Sequence, residues 1–353
     1  MGRARRGKDT KSKKGLVGVI VLLLLIAAAV TAGVLFLGNG EAEYENGAEA
    51  EEYVPGEVRI FSGDDRPIAV VIDNDTRAWP HSGIEQAYVV YEMLVEAGET
   101  RLLAMFKGVD ADVIGPTRSA RHYFLDYVLE HDAMLVHFGG SPQALSQISS
   151  LGIDNINGIV HESGRARDNT NRFWRQAGKP APHNAYINTE KILGIAESSG
   201  FRTTSDRGSV LNYVTHEVLL EEGMPANTVT IPYSSSNIVR YEFDSENGVF
   251  VRYSKNRRMT IGNTDEALTV KNIIILFARN TPIGDGSGRQ QINLVGTLDG
   301  YYITNGRAIR IQGEKASREA QTIFRDLEGN EIEVNDGNTF IQIVPIDANV
   351  EII

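Results

Sequence analysis

The stretch "AYVVYEMLVEAGETRLLAMFKG", Ala87 to Gly108, decides how the fold is read. Its flanks are rich in branched, aromatic and other apolar residues, and "AGET" (Ala97–Thr100) has turn composition, so two strands joined by a tight turn are predicted. Upstream, "RPIAVVID" (Arg66–Asp73) is a short branched apolar run ending in polar residues, which reads as a buried strand. Ser82 and Glu85 in "SGIEQA" have capping-box spacing for a short helix. Downstream, "SARHYFLDYVLEHD" (Ser119–Asp132) reads as a helix and "AMLVHFGG" (Ala133–Gly140) as another strand. "SPQALSQISSLG" (Ser141–Gly152) opens on a capping serine with a first-turn proline and closes on glycine. Strands alternating with helices predict an α/β layered domain over residues 58–200.

Beyond that point the texture changes. "VRYEFD" (Val239–Asp244), "NIIILFA" (Asn272–Ala278) and "TFIQIVPI" (Thr339–Ile346) are short strands separated by Gly, Asn and Asp turns. A mostly antiparallel β-rich domain is expected over residues 201–353. Within the first domain, His161–Tyr186 has no apolar period and is far longer than an ordinary connection, so it is expected to carry function.

The N-terminus sets the compartment. Leu16–Leu37, "LVGVIVLLLLIAAAVTAGVLFL", is uncharged and long enough to span a bilayer as a retained signal anchor. Seven Lys/Arg and one Asp precede it, so residues 1–15 carry +6 and are expected to stay cytoplasmic. Residues 38–57, "GNGEAEYENGAEAEEYVPGE", hold almost no large aliphatic side chains and read as an acidic disordered tether. The chain of 353 residues has a net charge of -11, so the part beyond the tail stands at -17. That field disfavours a nucleic-acid partner. With no cysteine in the sequence, disulfides, thiolate metal sites, a Cys nucleophile and a lipid-modified cysteine are excluded.

In this acidic chain "IGPTRSARHY" (Ile114–Tyr123) places Arg118 and Arg121 three apart, after a Gly-Pro and at an expected helix entry. Such a pair would share a helix face and could grip a phosphate or carboxylate by forked hydrogen bonds. The competing reading is structural pairing with Glu92, Glu96 or Glu99. Arg101, Arg172, His183 and Asn184 are further anion-binding candidates, the last three on the long loop. Glu92 and Glu96 are candidate acid/base carboxylates. On a strand they would stand about 13 Å apart, too far for a glycosidase pair, and on a helix about 6 Å. His137, before Gly139 and Gly140, is a candidate base. Asp73 and Asp75 follow a strand end, where they could position a divalent metal or form an Asx-turn. No Ser/His/Asp spacing, HExxH, P-loop or GxGxxG motif is present.

Taken in order, "RPIAVVIDN", "YEMLVEAGETRLLAMF", "IGPTRSARHYF", "HFGGSPQAL" and "APHNAY" resemble the YerB-like family of extracytoplasmic bacterial proteins. The resemblance covers most of residues 58–190 and continues more weakly through "KNIIILFA" and "NDGNTFIQIVP". It implies a two-domain exported protein and no settled activity. Members are often lipoproteins, which this cysteine-free chain departs from. A looser similarity, of anchor and residue types only, is to the LytR-CpsA-Psr proteins, which transfer polymers from polyprenyl-pyrophosphate carriers. The expectation is therefore a single-pass cell-envelope protein, N-terminus inside, whose α/β domain binds an anionic glycan or lipid-linked substrate. Phosphoryl or glycosyl transfer is one chemistry for it. The alternatives are a non-catalytic assembly module and a glycan-cleaving enzyme using the YEMLVE carboxylates.

Overall fold

All side chains of β1 (Ile68–Asp73), β2 (Val89–Leu94) and β3 (Thr100–Phe106) are buried. Such unbroken burial means both sheet faces are covered, and alternate residues serve opposite cores. Val70, Ile72 and Val90 join one core, whereas Ala69, Val71 and Tyr91 join the other. Burying each large aliphatic side chain contributes about 1.5–3 kcal/mol, which locks the register. The hairpin forms as expected, with Glu92 opposite Leu102, Met93 opposite Arg101 and the turn at Glu96–Gly98. β3 continues antiparallel onto β1, setting Asp73 opposite Arg101. β4 (Met134–His137) and β5 (Asn155–Asn157) extend the sheet in parallel.

The computed structural model describes residues 57–162, 165–262 and 264–353. The expected cytoplasmic tail, apolar span and tether up to residue 56 lie outside the described residues. Among the described residues no helix is long and apolar enough to cross a membrane.

The second half of the chain completes the same sheet. Its strands here are β6 (Thr228–Ser234), β7 (Asn237–Asp244), β8 (Val249–Ser254), β9 (Asn272–Ala278), β10 (Gly296–Thr304), β11 (Arg307–Lys315) and β12 (Thr339–Pro345). The large sheet has eleven strands, with the central order β11-β10-β9-β12-β2-β3-β1-β4-β5. β12 lies between β9 and β2, parallel to both, and sets Gln342 opposite Glu92. The described residues from 57 to 353 accordingly form one compact unit, with the sheet running through both sequence regions.

β6, β7 and β8 form the centre of a six-stranded sheet. Its Val229, Ile231, Val239 and Phe250 share one core with Ile72 and Phe340 of the large sheet. On the other face, Phe124 and Leu125 of α1 (Phe124–Glu130) and Ile148 of α2 (Pro142–Ser150) pack with Val71, Tyr91 and Ile341. α3 (Thr189–Ser199) completes the α-helices among the described residues, so the architecture is largely β-rich.

Local signals fare unevenly. Ser141 caps α2 as expected, its Oγ accepting from the Ala144 amide at 3.1 Å. The capping box at Ser82 does not form, because Gly83 heads a single 3-10 turn with no side-chain cap. The helix expected from Ser119 starts only at Phe124. Residues 117–120 are instead threaded between strand ends. The Arg118 amide donates to the Val71 carbonyl at 2.8 Å, and the Ala120 amide to that of Gly139 at 3.0 Å. Gly115 makes this entry feasible. Its φ is +147, and a Cβ there would stand 2.9 Å from both the Ala185 carbonyl oxygen and the Tyr186 ring.

Candidate functional site

β1 ends at Asp73, and around this carboxylate the chain gathers its candidate residues. Arg101 lies opposite it on β3, Arg118 comes from the threaded segment, and His183 comes from the long loop. His183 Nδ1 donates to Asp73 Oδ2 at 2.8 Å, an arrangement that orients the imidazole. Arg118 Nε lies 3.2 Å from the same oxygen, close enough for an ion pair, but its N–H is not aimed at it and makes no hydrogen bond. The Asp75 amide donates to Asp73 Oδ1 at 3.2 Å, the Asx-turn geometry.

These groups line a pocket of about 370 Å³, closed on its other side by Glu96, Glu99 and Thr100 from the β2–β3 turn. A second pocket, of about 380 Å³, adjoins it and shares Arg118 and Pro182. Phe138, Leu145 and Ile159 give the second pocket an apolar wall, with Arg175 and His161 beside it. Together they form one groove with Arg118 at its midpoint. Arg118 is 23% exposed, and no hydrogen bond from its guanidinium to the protein is made among the described residues. A guanidinium with open donors over a cavity is suited to an anion.

Electrostatics sharpen the site. Burial, together with the neighbouring cations of Arg121 and Arg118, brings Arg101 down to about 9. Its Nη1 donates to the Ser119 carbonyl at 2.7 Å, which holds the threaded segment against β3. Forked hydrogen bonds from Arg77 hold the Asp75 carboxyl well below the usual carboxylate range. Burial alone would raise Glu96, but the hydrogen bonds and charge of Arg121 outweigh it and hold this carboxyl low.

Several expected site residues are placed elsewhere. Arg121 does not share a face with Arg118. Three residues apart on extended chain they point opposite ways, and Arg121 donates from Nε and Nη2 to Glu96 at 2.7 and 2.5 Å. Its Nη1 donates to the Ala120 carbonyl, so the structural-pairing reading holds for Arg121. Glu92 is fully buried and accepts from Arg252, Thr100 and Asn74 at 2.7, 2.7 and 3.1 Å, which removes it from any contact with a substrate. His137 is also fully buried, with Nδ1 at 2.7 Å from the Gly139 carbonyl and Nε2 at 3.2 Å from Asn155 Oδ1. Burial pushes its imidazole below the ordinary value. Arg172 and Asn184 line neither pocket. The Asn184 amide instead donates to the Gln176 and Lys179 carbonyls and organises the long loop.

Asp73 and Asp75 are engaged by His183, Arg118 and Arg77, and among the described residues no group of three or more His, Asp or Glu could hold a metal ion. Sequence reasoning missed Arg252 and Arg175, for which no local motif exists. Arg175 sits two residues after Phe173 in the long loop, places its guanidinium 4.5 Å from the Phe138 ring and forks onto Asp168 at 2.9 and 3.1 Å.

Comparison with known proteins places the chain. Residues 56–202 match the family described as "Protein of unknown function (DUF3048) N-terminal domain", and residues 229–341 match its C-terminal domain. A relative from Bacillus subtilis (strain 168), named "Putative lipoprotein YerB", is 30% identical over 298 residues, spanning 80% of this chain and 82% of the relative. The crystal structure of the YerB protein from Bacillus subtilis superposes with a TM-score of 0.71 over 82% of this chain and 94% of that one. The chain belongs to the YerB-like family.

Proposed function

We propose that this YerB-like chain is a membrane-attached extracytoplasmic protein whose groove binds an anionic envelope substrate, a phosphorylated glycan or a lipid-phosphate carrier. The lipoprotein name of its Bacillus subtilis relative supports the compartment, and the apolar run Leu16–Leu37 supplies an anchor in place of a lipid. One observation carries the binding reading: Arg118 stands in the groove with guanidinium donors that no acceptor among the described residues satisfies. Around it Arg101 adds positive charge from a buried position, and the Asp73–His183 pair offers an oriented imidazole able to accept a proton from a bound hydroxyl group. The proton-transfer role expected of Glu92, Glu96 and His137 passes in this reading to His183, which lines the pocket, while Glu96 is held by Arg121. Binding alone, as an assembly module, uses the same residues without that transfer.

The test is incubation of the detergent-solubilised full chain with fractionated envelope material, followed by mass spectrometry of retained ligands and products. A phosphorylated species should be retained by the native chain. Retention should fall at least tenfold in Arg118→Lys, which keeps the charge and loses the planar fork. Retention of neutral glycans only, or equal retention by the variant, would refute an anion site at Arg118.

A further inference from the structure

We propose that the anion this groove accepts is a phosphodiester internal to a hydroxylated chain, not a terminal phosphate monoester. The inference rests on the anion-site reading of Arg118 and adds to it the class of substrate. Shape is the first ground. Arg118 and Pro182 line both pockets, so the open guanidinium stands midway along the groove, with about 370 Å³ on one side and about 380 Å³ on the other. A terminal phosphate bears one substituent and fills one side. A diester bears two and fills both.

Charge is the second ground. The pocket on the Asp73 side holds four carboxylates and three guanidiniums. Arg121 and Lys255, reaching Glu96 and Glu99 from outside the pocket, give each carboxylate a cationic partner, and Arg289 stands 4.0 Å from Glu96. One negative charge on the ligand meets the open donors of Arg118. The second charge of a monoester would face Asp73, whose Oδ2 lies 3.2 Å from Arg118 Nε. Like charges at such range lower affinity at any interior dielectric. Asp73 beside Arg118 therefore favours one negative charge on the ligand over two.

The two arms differ. Asp75 and Glu99 present carboxylate oxygens that suit hydroxyl groups on the first side. Phe138, Leu145 and Ile159 present an apolar wall that suits the carbon face of a polyol or sugar on the second.

The experiment compares glycerophosphoglycerol, glycerol 3-phosphate and inorganic phosphate, with glucuronate as a carboxylate control, binding to the full chain in uncharged detergent at pH 8, by calorimetry. The diester should bind at least tenfold more tightly than either other compound. Leu145→Glu, in the second arm, should weaken the diester at least fivefold and leave glycerol 3-phosphate unchanged. His161→Glu places the same charge in that arm from an exposed position and serves if the helix variant unfolds. Arg118→Gln should abolish binding of all three. Equal or tighter binding of glycerol 3-phosphate overturns the diester inference while leaving the anion site intact. So does a matching loss for both esters in the second-arm variants, or no loss for either. Tighter binding of glucuronate than of the diester overturns it in favour of a carboxylate. Absence of binding by any phosphate compound, or binding unaffected by Arg118→Gln, removes the anion site and this inference with it.

Discussion

Two arginine–carboxylate clusters lie close together in this molecule and do opposite things. Glu92 and Arg252 meet at 2.7 Å with side chains 0% and 1% exposed, Thr100 and Asn74 donate to the carboxylate, and the guanidinium donates to Tyr241. Asp73 and Arg118 meet at 3.2 Å with side chains 5% and 23% exposed, and the guanidinium donors stay open. Thr100 belongs to both neighbourhoods, donating to Glu92 while lining the groove. The residue types are the same in each cluster. What separates a structural pair from a binding site is how completely its hydrogen bonds are satisfied.

The closed cluster also joins the two halves of the chain, since Glu92 is on β2 and Arg252 on β8. Glu130 and Lys315 repeat the device on the other face, at 2.5 Å and nearly fully buried. The largest expected effect is therefore on dissection. A fragment of residues 57–200 loses β12 from the centre of the sheet and leaves Glu92 and Glu130 unpaired, so it should show no cooperative unfolding transition by circular dichroism. A sharp transition would mean that the halves are independent and that the closed cluster only decorates their contact.

Next in size is Arg252→Met. It leaves a buried carboxylate uncompensated and should cost about 3–5 kcal/mol, measured by denaturant unfolding. Adding Glu92→Gln should recover a large part of that loss, because no buried charge then remains. If the single variant is as stable as the native chain, the cluster is open to water and the contrast fails.

Acid should act on the buried side of the comparison. Burial brings His81 and His131 down to about 3 from the ordinary 6.5, so each is neutral when folded and protonates first in the unfolded chain. A depressed histidine makes stability fall as pH drops from 6.5 towards 3, by about 1.4 kcal/mol per pH unit for each group. The neighbouring Glu130, raised by burial, has the opposite sign and offsets part of this slope above its ordinary value. Unfolding free energy measured against pH should thus have a positive slope in this window, shallower in His131→Gln. An unchanged slope in that variant would show that the imidazole is not neutral in the folded state.

The smallest expected change in stability is at the open cluster. Arg118→Gln removes a partly exposed pair and should shift unfolding by less than about 1 kcal/mol, even as anion binding is lost. A loss comparable to that of Arg252→Met would place Arg118 among the structural arginines.

The sequence alone determined the strands and caps whose signals lie within a few residues. The apolar run at Ile68–Asp73, the turn between β2 and β3 and the Ser141 cap of α2 all depend on near neighbours, and all were legible. So was the family, through an ordered set of short motifs. The groove was legible as a set of residue types, among them Asp73, Glu96, Arg101, Arg118 and His183. Tertiary structure decided which of them face the cavity. The segment before α1 has helical texture, yet hydrogen bonds to Val71 and Gly139 draw it out between strand ends and turn Arg118 and Arg121 apart. Glu92 found its partner 160 residues away, and β12 found its place between β9 and β2 from the far end of the chain. Local periodicity records which side of an element is buried. It does not record what buries it, because that is fixed only when distant strands pair and close the sheet.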